Sequence, residues 1–79
     1  MIGFDFIEEL NFDDHEVFTQ VLSSAFEKMN AMQRESLLLT LLGFDQKRAG
    51  KILGVSQSSI SYHFQRAIVI VSRAALEFR

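Results

Sequence analysis

Cysteine, proline and tryptophan are all missing from the 79 residues of this chain. Without cysteine the chain has no disulfide and no thiolate ligand for a metal ion, which is typical of a cytoplasmic protein. The amino terminus has neither the basic start nor the apolar stretch of a secretory signal. No run approaches the roughly 18 apolar residues of a membrane-spanning helix. We therefore expect a cytoplasmic protein without a membrane partner.

Side chains suited to catalysis are also scarce. The two histidines, His15 and His63, belong to different parts of the sequence. The acidic pairs at 8–9 and 13–14 are sequence neighbours whose side chains diverge, so capping and solvation explain them better than acid–base chemistry. Neither a His-Glu-x-x-His metal motif nor a glycine-rich phosphate loop is present. The sequence predicts a protein that is not an enzyme and that has no metal site and no cofactor.

Charge is distributed unevenly along the chain, although its net value is only −2. Residues 1–30 contain seven acidic side chains against one lysine, which gives −6, and residues 31–79 contain seven basic side chains against three acidic ones, which gives +4. An acidic front and a basic rear indicate two partners of opposite electrostatic preference. Acidic residues that only cap and solubilise the first helices would explain the same pattern.

Apolar spacing predicts an all-α fold, a small bundle of four to five helices in one domain. Residues 17–29 repeat apolar side chains at helical spacing, which is typical of an amphipathic core helix, and the aspartates at 13–14 are its N-cap candidates. Asn30 and Gln33 have the spacing of a capping box at the start of a second helix. Because the run at 37–42 is apolar nearly all round, we expect this second helix to lie at the centre of the bundle.

The stretch at 45–64 predicts two helices joined by a tight turn. Asp45 suits the N-cap of the first helix, Gly54 suits a left-handed residue after it, and Ser56 suits the N-cap of the second. The inward-facing apolar residues should be Ala49, Ile52 and Leu53, followed by Ile60 and Phe64. This is the pattern of a helix-turn-helix, in which the second helix enters the major groove of DNA.

The second of these helices should continue to about residue 78, because neither glycine nor proline interrupts it. Its inward face should continue through Ile68, Val71, Ala75 and Phe78, although the β-branched run at 68–71 also suits a short strand. The remaining apolar surface needs a cover, which could be the acidic front, a second copy or another protein. A two-fold dimer would place two recognition helices about one DNA turn apart. Candidates for a dimer or partner interface are Phe4, Phe6, Val69, Ile70 and Leu76.

Residues 48–56, Arg-Ala-Gly-Lys-Ile-Leu-Gly-Val-Ser, followed by Ser-Ile at 59–60 and Arg-Ala at 66–67, resemble the fourth region of bacterial sigma factors. That domain reads the −35 promoter element. Gln-Arg-Glu at 33–35 and the leucines after it resemble the preceding helix, so the resemblance covers roughly residues 29–71. LuxR-like and phage transcription regulators share the motif. In this chain serines replace several basic residues of the recognition helix.

The resemblance implies a transcription regulator that binds double-stranded DNA. The helix that crosses the DNA backbone and its neighbour supply the phosphate-binding candidates Lys47, Arg48, Lys51, Ser59, His63 and Arg66. The exposed side of the recognition helix supplies the base-reading candidates Gln57, Ser58, Ser61, Tyr62 and Gln65. An ordinary solvated helix face would explain either set. The alternative function is an interaction protein that binds RNA polymerase or a sigma factor through its acidic, Phe-rich front, with weak or no DNA binding.

Overall fold

The computed structural model describes residues 15–78. Its helices are α1 His15–Glu27, α2 Ala31–Leu41, α3 Gln46–Leu53 and α4 Gln57–Glu77. No strand occurs in the described part of the chain, and the β-branched run at 68–71 is helical. The predicted all-α bundle is therefore confirmed. The N-cap candidates at 13–14 and the interface candidates Phe4 and Phe6 lie outside the described residues.

Local side-chain chemistry determines where α2 begins. The Asn30 side chain accepts a hydrogen bond from the backbone N–H of Gln33 at 2.8 Å, and the Gln33 side chain accepts one from the backbone N–H of Asn30 at 3.0 Å. These two bonds satisfy backbone donors that a helix start leaves free, and they confirm the predicted capping box. After α2 the chain turns through Gly43, whose φ of +97° suits a residue without a Cβ.

The central element of the bundle is α4. It packs against each of the other three helices, whereas α1 has only marginal contact with α2 and α3. The buried face of α4 consists of Ile60, Phe64, Ala67, Ile68, Val71 and Ala74. Most of this face forms one core with Val21 and Ala25 from α1, Met29 from the turn after α1 and Leu37 from α2. The amphipathic stripe predicted for α1 is thus core.

The prediction that α2 lies at the centre was wrong. Only Ser36 and Leu37 of this helix are buried, whereas Leu38 is exposed and Leu42, its C-cap, is 73% exposed. The reason is its set of neighbours: α2 packs on α4 and, less extensively, on α3, so it can bury only one side. A helix with apolar residues on all its sides therefore leaves some leucines exposed to solvent when neighbouring helices cover only one side.

Four further apolar residues differ from their predicted positions. Ile52 is 55% exposed, and Phe78 is exposed at the C-cap of α4. Ala74, which helical spacing predicts to lie partly off the inward face, is fully buried, whereas Ala75, predicted to face inward, is only partly buried against the core. Ala74 follows Val71 at a spacing of about one helical turn, so the buried stripe passes through it. The inward face of α4 consequently ends at Ala74.

Candidate nucleic-acid interface

Helices α3 and α4 begin and end at the predicted capping residues. The Asp45 side chain accepts a hydrogen bond from the backbone N–H of Arg48 at 2.8 Å and caps α3. Gly54 ends α3 in the left-handed region, with φ +72° and ψ +32°. The Ser56 hydroxyl then accepts from the backbone N–H of Ser59 at 3.1 Å and caps α4. These two capping bonds and the left-handed conformation of Gly54 confirm the predicted tight turn between two helices.

Gly50 determines how closely α3 approaches this turn. The residue is buried, and a Cβ placed on it would lie 2.7 Å from the backbone oxygen of Val55. The backbone oxygen of Gly50 also accepts a hydrogen bond from the Val55 N–H at 2.9 Å. Backbone therefore packs directly on backbone, which only glycine permits. Gly50 was not among the predicted site residues, yet it sets the position from which α4 leaves the turn.

The first half of α4 presents polar side chains to the solvent. Its buried residues, Ile60 and Phe64, lie on one side, so the side chains opposite them face outward. The base-reading candidates are accessible, since Ser61 is half-buried and the others are exposed, namely Gln57, Ser58, Tyr62 and Gln65. The Gln65 amide donates a hydrogen bond to the Ser61 hydroxyl at 3.3 Å. One accessible side of a single helix thus carries the whole predicted set.

The phosphate-binding candidates differ in their access to solvent. The exposed ones are Lys47, Arg48 and Lys51 on α3 and Arg66 on α4. Ser59 and His63 are half-buried, and the ring of His63 lies edge-on to that of Tyr62 with 5.2 Å between the centroids. The Nδ1 atom of His63 is buried without a hydrogen-bond partner. The four cations are therefore better placed to meet a phosphate than Ser59 or His63.

None of these four cations forms an ion pair with an acidic side chain within residues 15–78. Within residues 15–78 the acids are Glu16, Glu27, Glu35, Asp45 and Glu77. Only Asp45 adjoins α3, and its carboxylate is engaged in capping that helix. Glu77 lies at the far end of α4, where it pairs with Lys28 at 3.0 Å. The exposed side of α3 consequently carries an almost uncompensated positive charge, which attracts polyanions.

The predicted interface residues that the structure describes are all on the second half of α4. Val69 and Leu76 are exposed. Ile70 is half-buried and packs against the core, so it offers less surface to a partner. The side of α4 that carries Val69 and Leu76 is continuous with the side that carries Tyr62, because these residues are spaced about two helical turns apart.

Metal sites and membrane-spanning helices were also sought in the described residues. Between residues 15 and 78, no three His, Cys, Asp or Glu side chains are grouped so that they could hold a metal ion. No helix in that range combines the length and the apolar character needed to cross a membrane.

No protein-family model matches the chain, and comparison with curated proteins and with solved structures gives no match either. The resemblance to sigma region 4 therefore stays a prediction that rests on the motif residues themselves. Any function proposed for the chain has to be argued from its own geometry and charge.

Proposed function

We propose that the chain is a sequence-specific, DNA-binding transcription regulator that uses α3, the turn and α4 as a helix-turn-helix. One observation carries the proposal: a helix with an exposed polar side is held, through the close contact at Gly50, beside a helix with an exposed basic side. In DNA-binding proteins with this motif the second helix lies in the major groove and the first crosses the phosphate backbone. The polar and basic sides of α4 and α3 suit those two positions.

The exposed cations would supply affinity. Lys47, Arg48 and Lys51 on α3, with Arg66 on α4, are assigned to phosphate oxygens, contacts that orient the protein on the duplex without reading sequence. Each such contact releases a condensed counterion and contributes about −0.9 to the slope of log affinity against log salt. Binding should therefore weaken steeply as salt rises.

The polar side chains of α4 would supply specificity. A glutamine such as Gln57 or Gln65 can form two hydrogen bonds with adenine in the major groove, whereas serine accepts several bases. Tyr62 adds an exposed ring beside them. With few charged groups on this side, each reading contact is a neutral hydrogen bond, so a single half-site should bind weakly.

We further propose that the regulator binds as a homodimer. Weak half-sites gain affinity when two domains bind together, since the second contact becomes intramolecular. The exposed side chains of Val69 and Leu76 on α4 offer apolar surface to a second copy. A two-fold pair would read two half-sites about 34 Å apart, which is one turn of DNA.

A second candidate is an interaction protein that binds RNA polymerase or a sigma factor. The observation that favours it is apolar surface outside α4: Leu38 on α2, Leu42 at the C-cap of α2 and Ile52 on α3 are exposed. Unpartnered apolar side chains on the surface of a small protein suit a protein–protein contact. The serines of α4 also give DNA fewer charged partners than a basic recognition helix would.

The proposed function can be tested by selecting bound fragments from mixed genomic DNA at two salt concentrations and sequencing them. We expect enrichment of a shared two-fold site and much weaker retention at the higher salt. Lack of retention even at low salt would overturn the DNA proposal. Purified RNA polymerase is then the partner to test, with Leu38→Asp and Leu42→Asp as the variants that should weaken its binding.

Substitution of the α3 cations gives a quantitative test. With Lys47, Arg48 and Lys51 all changed to Ala, the salt slope should become shallower by about 2 to 3. Arg34→Ala, an exposed arginine on α2, is the control and should leave the slope unchanged. Circular dichroism should show the same helix content in both variants. An unchanged slope in the triple variant would remove α3 from the DNA contact.

A further inference from the structure

The exposed side of α4 carries a stripe that is both apolar and basic. Tyr62, Val69 and Leu76 lie about two helical turns apart, so they align along the helix. They are 61%, 43% and 58% exposed, and Arg66 and Arg73 are exposed beside them. We call these five residues the α4 stripe. Its N-terminal residue, Tyr62, also belongs to the proposed base-reading side.

Neither arginine of the α4 stripe forms an ion pair in residues 15–78, and Glu77, one helical turn after Arg73, pairs with Lys28 instead. Apolar side chains between unpaired arginines suit a ligand that combines apolar groups with carboxylates. A ligand of only one kind would leave half of the stripe unmatched.

The sequence of residues 1–14 has this combination. It contains no lysine or arginine. Its acidic residues are Asp5, Glu8, Glu9, Asp13 and Asp14. Its large apolar residues after Met1 are Ile2, Phe4, Phe6, Ile7, Leu10 and Phe12. The segment is therefore complementary to the α4 stripe both in charge and in apolar content.

The segment joins the bundle within reach of the stripe. Helix α1 packs chiefly on α4, and Lys28, just after α1, pairs with Glu77 at the end of α4 at 3.0 Å. The two helices therefore run side by side with their C-terminal ends together. Because α1 has 13 residues and so extends about 20 Å, His15 lies near the level of the middle of α4. Fourteen residues can span up to about 46 Å, several times the diameter of a helix.

We propose that residues 1–14 dock on the α4 stripe of their own chain and thereby compete with DNA for α4. In this arrangement the apolar side chains of the segment cover Val69 and Leu76, and its carboxylates pair with Arg66 and Arg73. Val69 and Leu76 are then available to a second copy only after DNA has displaced the segment. The inference rests on the proposed function, because Tyr62 belongs both to the stripe and to the base-reading side. DNA has to displace the segment, so the segment makes binding weaker and more selective for sites that contact α4 fully.

Docking can be measured without DNA. The chain has no cysteine, so Gly3→Cys provides one attachment point for a nitroxide spin label. Paramagnetic broadening of amide signals should fall on Arg66, Val69 and Arg73, spare Leu38 and Leu42, and decrease at high salt. Broadening confined to Leu38 and Leu42, or no broadening, would overturn the proposal. So would equal broadening in a mixture of spin-labelled chains and isotope-labelled chains, because it would assign the contact to a second copy.

Competition can be measured with a charge-matched pair of variants in the full chain. Glu8→Gln with Glu9→Gln should tighten DNA binding about five-fold and reduce the broadening on α4. Glu27→Gln with Glu35→Gln changes the net charge equally on α1 and α2 and should alter neither measurement. Equal tightening in both pairs would reduce the effect to net charge and overturn competition. If no variant binds DNA while broadening on the stripe persists, the proposed function fails and the docking stands.

Discussion

The two halves of α4 belong to one continuous helix, yet they are supported differently. In the second half, Ala67, Ile68, Val71 and Ala74 belong to the main core together with residues from α1 and α2. In the first half, Ile60 is buried but lies outside that core. Apart from Phe64, which belongs to the main core, the first half depends on α3, the turn and the close contact at Gly50. The proposed DNA-reading part of the molecule is therefore stabilised by fewer buried residues.

This difference implies that the proposed reading surface can be disturbed while the bundle stays folded. A small satellite of buried residues contributes less to the free energy of unfolding than a contiguous core does. Damage near α3 should therefore change DNA binding more than stability, and damage to the main core should remove both. The predictions below test this division, from the largest expected effect to the smallest.

Phe64→Ala should have the largest effect on the free energy of unfolding. Phe64 lies in the first half of α4 but belongs to the main core, and only 2% of it is exposed. Loss of a buried phenyl ring costs about 3–5 kcal/mol, enough to unfold a domain of this size. Urea unfolding followed by circular dichroism would measure it. Tyr62→Ala, an exposed ring two residues earlier, should change stability by less than about 0.5 kcal/mol. Similar losses of stability in Phe64→Ala and Tyr62→Ala would contradict the assignment of Phe64 to the core.

Gly50→Ala should separate the halves. Alanine favours a helix by about 1 kcal/mol, but its Cβ would meet the Val55 oxygen at 2.7 Å, so we expect a net loss of about 1–3 kcal/mol and a displaced α3. DNA binding should weaken more than this loss alone predicts. Gly54→Ala is the matched variant, because a Cβ at this position meets nothing within 4 Å. The only expected penalty is that of a left-handed alanine, which should lower the free energy of unfolding by about 1 kcal/mol. If Gly50→Ala proved neutral, the turn would not depend on close backbone contact.

Asp45→Ala should have a moderate effect confined to the first half. The change removes the N-cap of α3 and should cost about 1 kcal/mol, whereas Asp45→Asn keeps an oxygen acceptor and most of the stability. Amide hydrogen exchange should quicken in α3 before it quickens in α1. Uniform quickening along the chain would show that the two halves open together, contrary to the comparison above.

Local chemistry explains which features the sequence predicted. Caps such as Asn30, Asp45 and Ser56 bond to backbone groups three residues away, so a few letters of sequence suffice to find them. Gly54 was predictable for the same reason. The candidate base-reading residues were placed correctly on an accessible side because helical spacing separates them from Ile60. Their role in DNA binding stays a prediction.

Features that depend on neighbours were predicted less well. The exposure of Leu42 and Ile52 depends on which helices cover α2 and α3, and apolar content does not reveal that. The role of Gly50 could have been suspected, because a glycine inside a short helix is unfavourable and often marks close approach of two backbones. The buried position of Ala74 follows from continuing the spacing of α4 with the right phase.

The smallest effect should come from the ion pair between Lys28 and Glu77, which joins the ends of α1 and α4. Both side chains are about half exposed, so solvent screens the pair, and Glu77→Gln should cost no more than about 0.5 kcal/mol. A double-mutant cycle with Lys28→Gln would measure the coupling. A coupling above about 1 kcal/mol would contradict the expected screening and show that the ion pair holds α1 in addition to Val21 and Ala25. The packing of α1 on the second half of α4 would then depend on this ion pair as well as on the buried core.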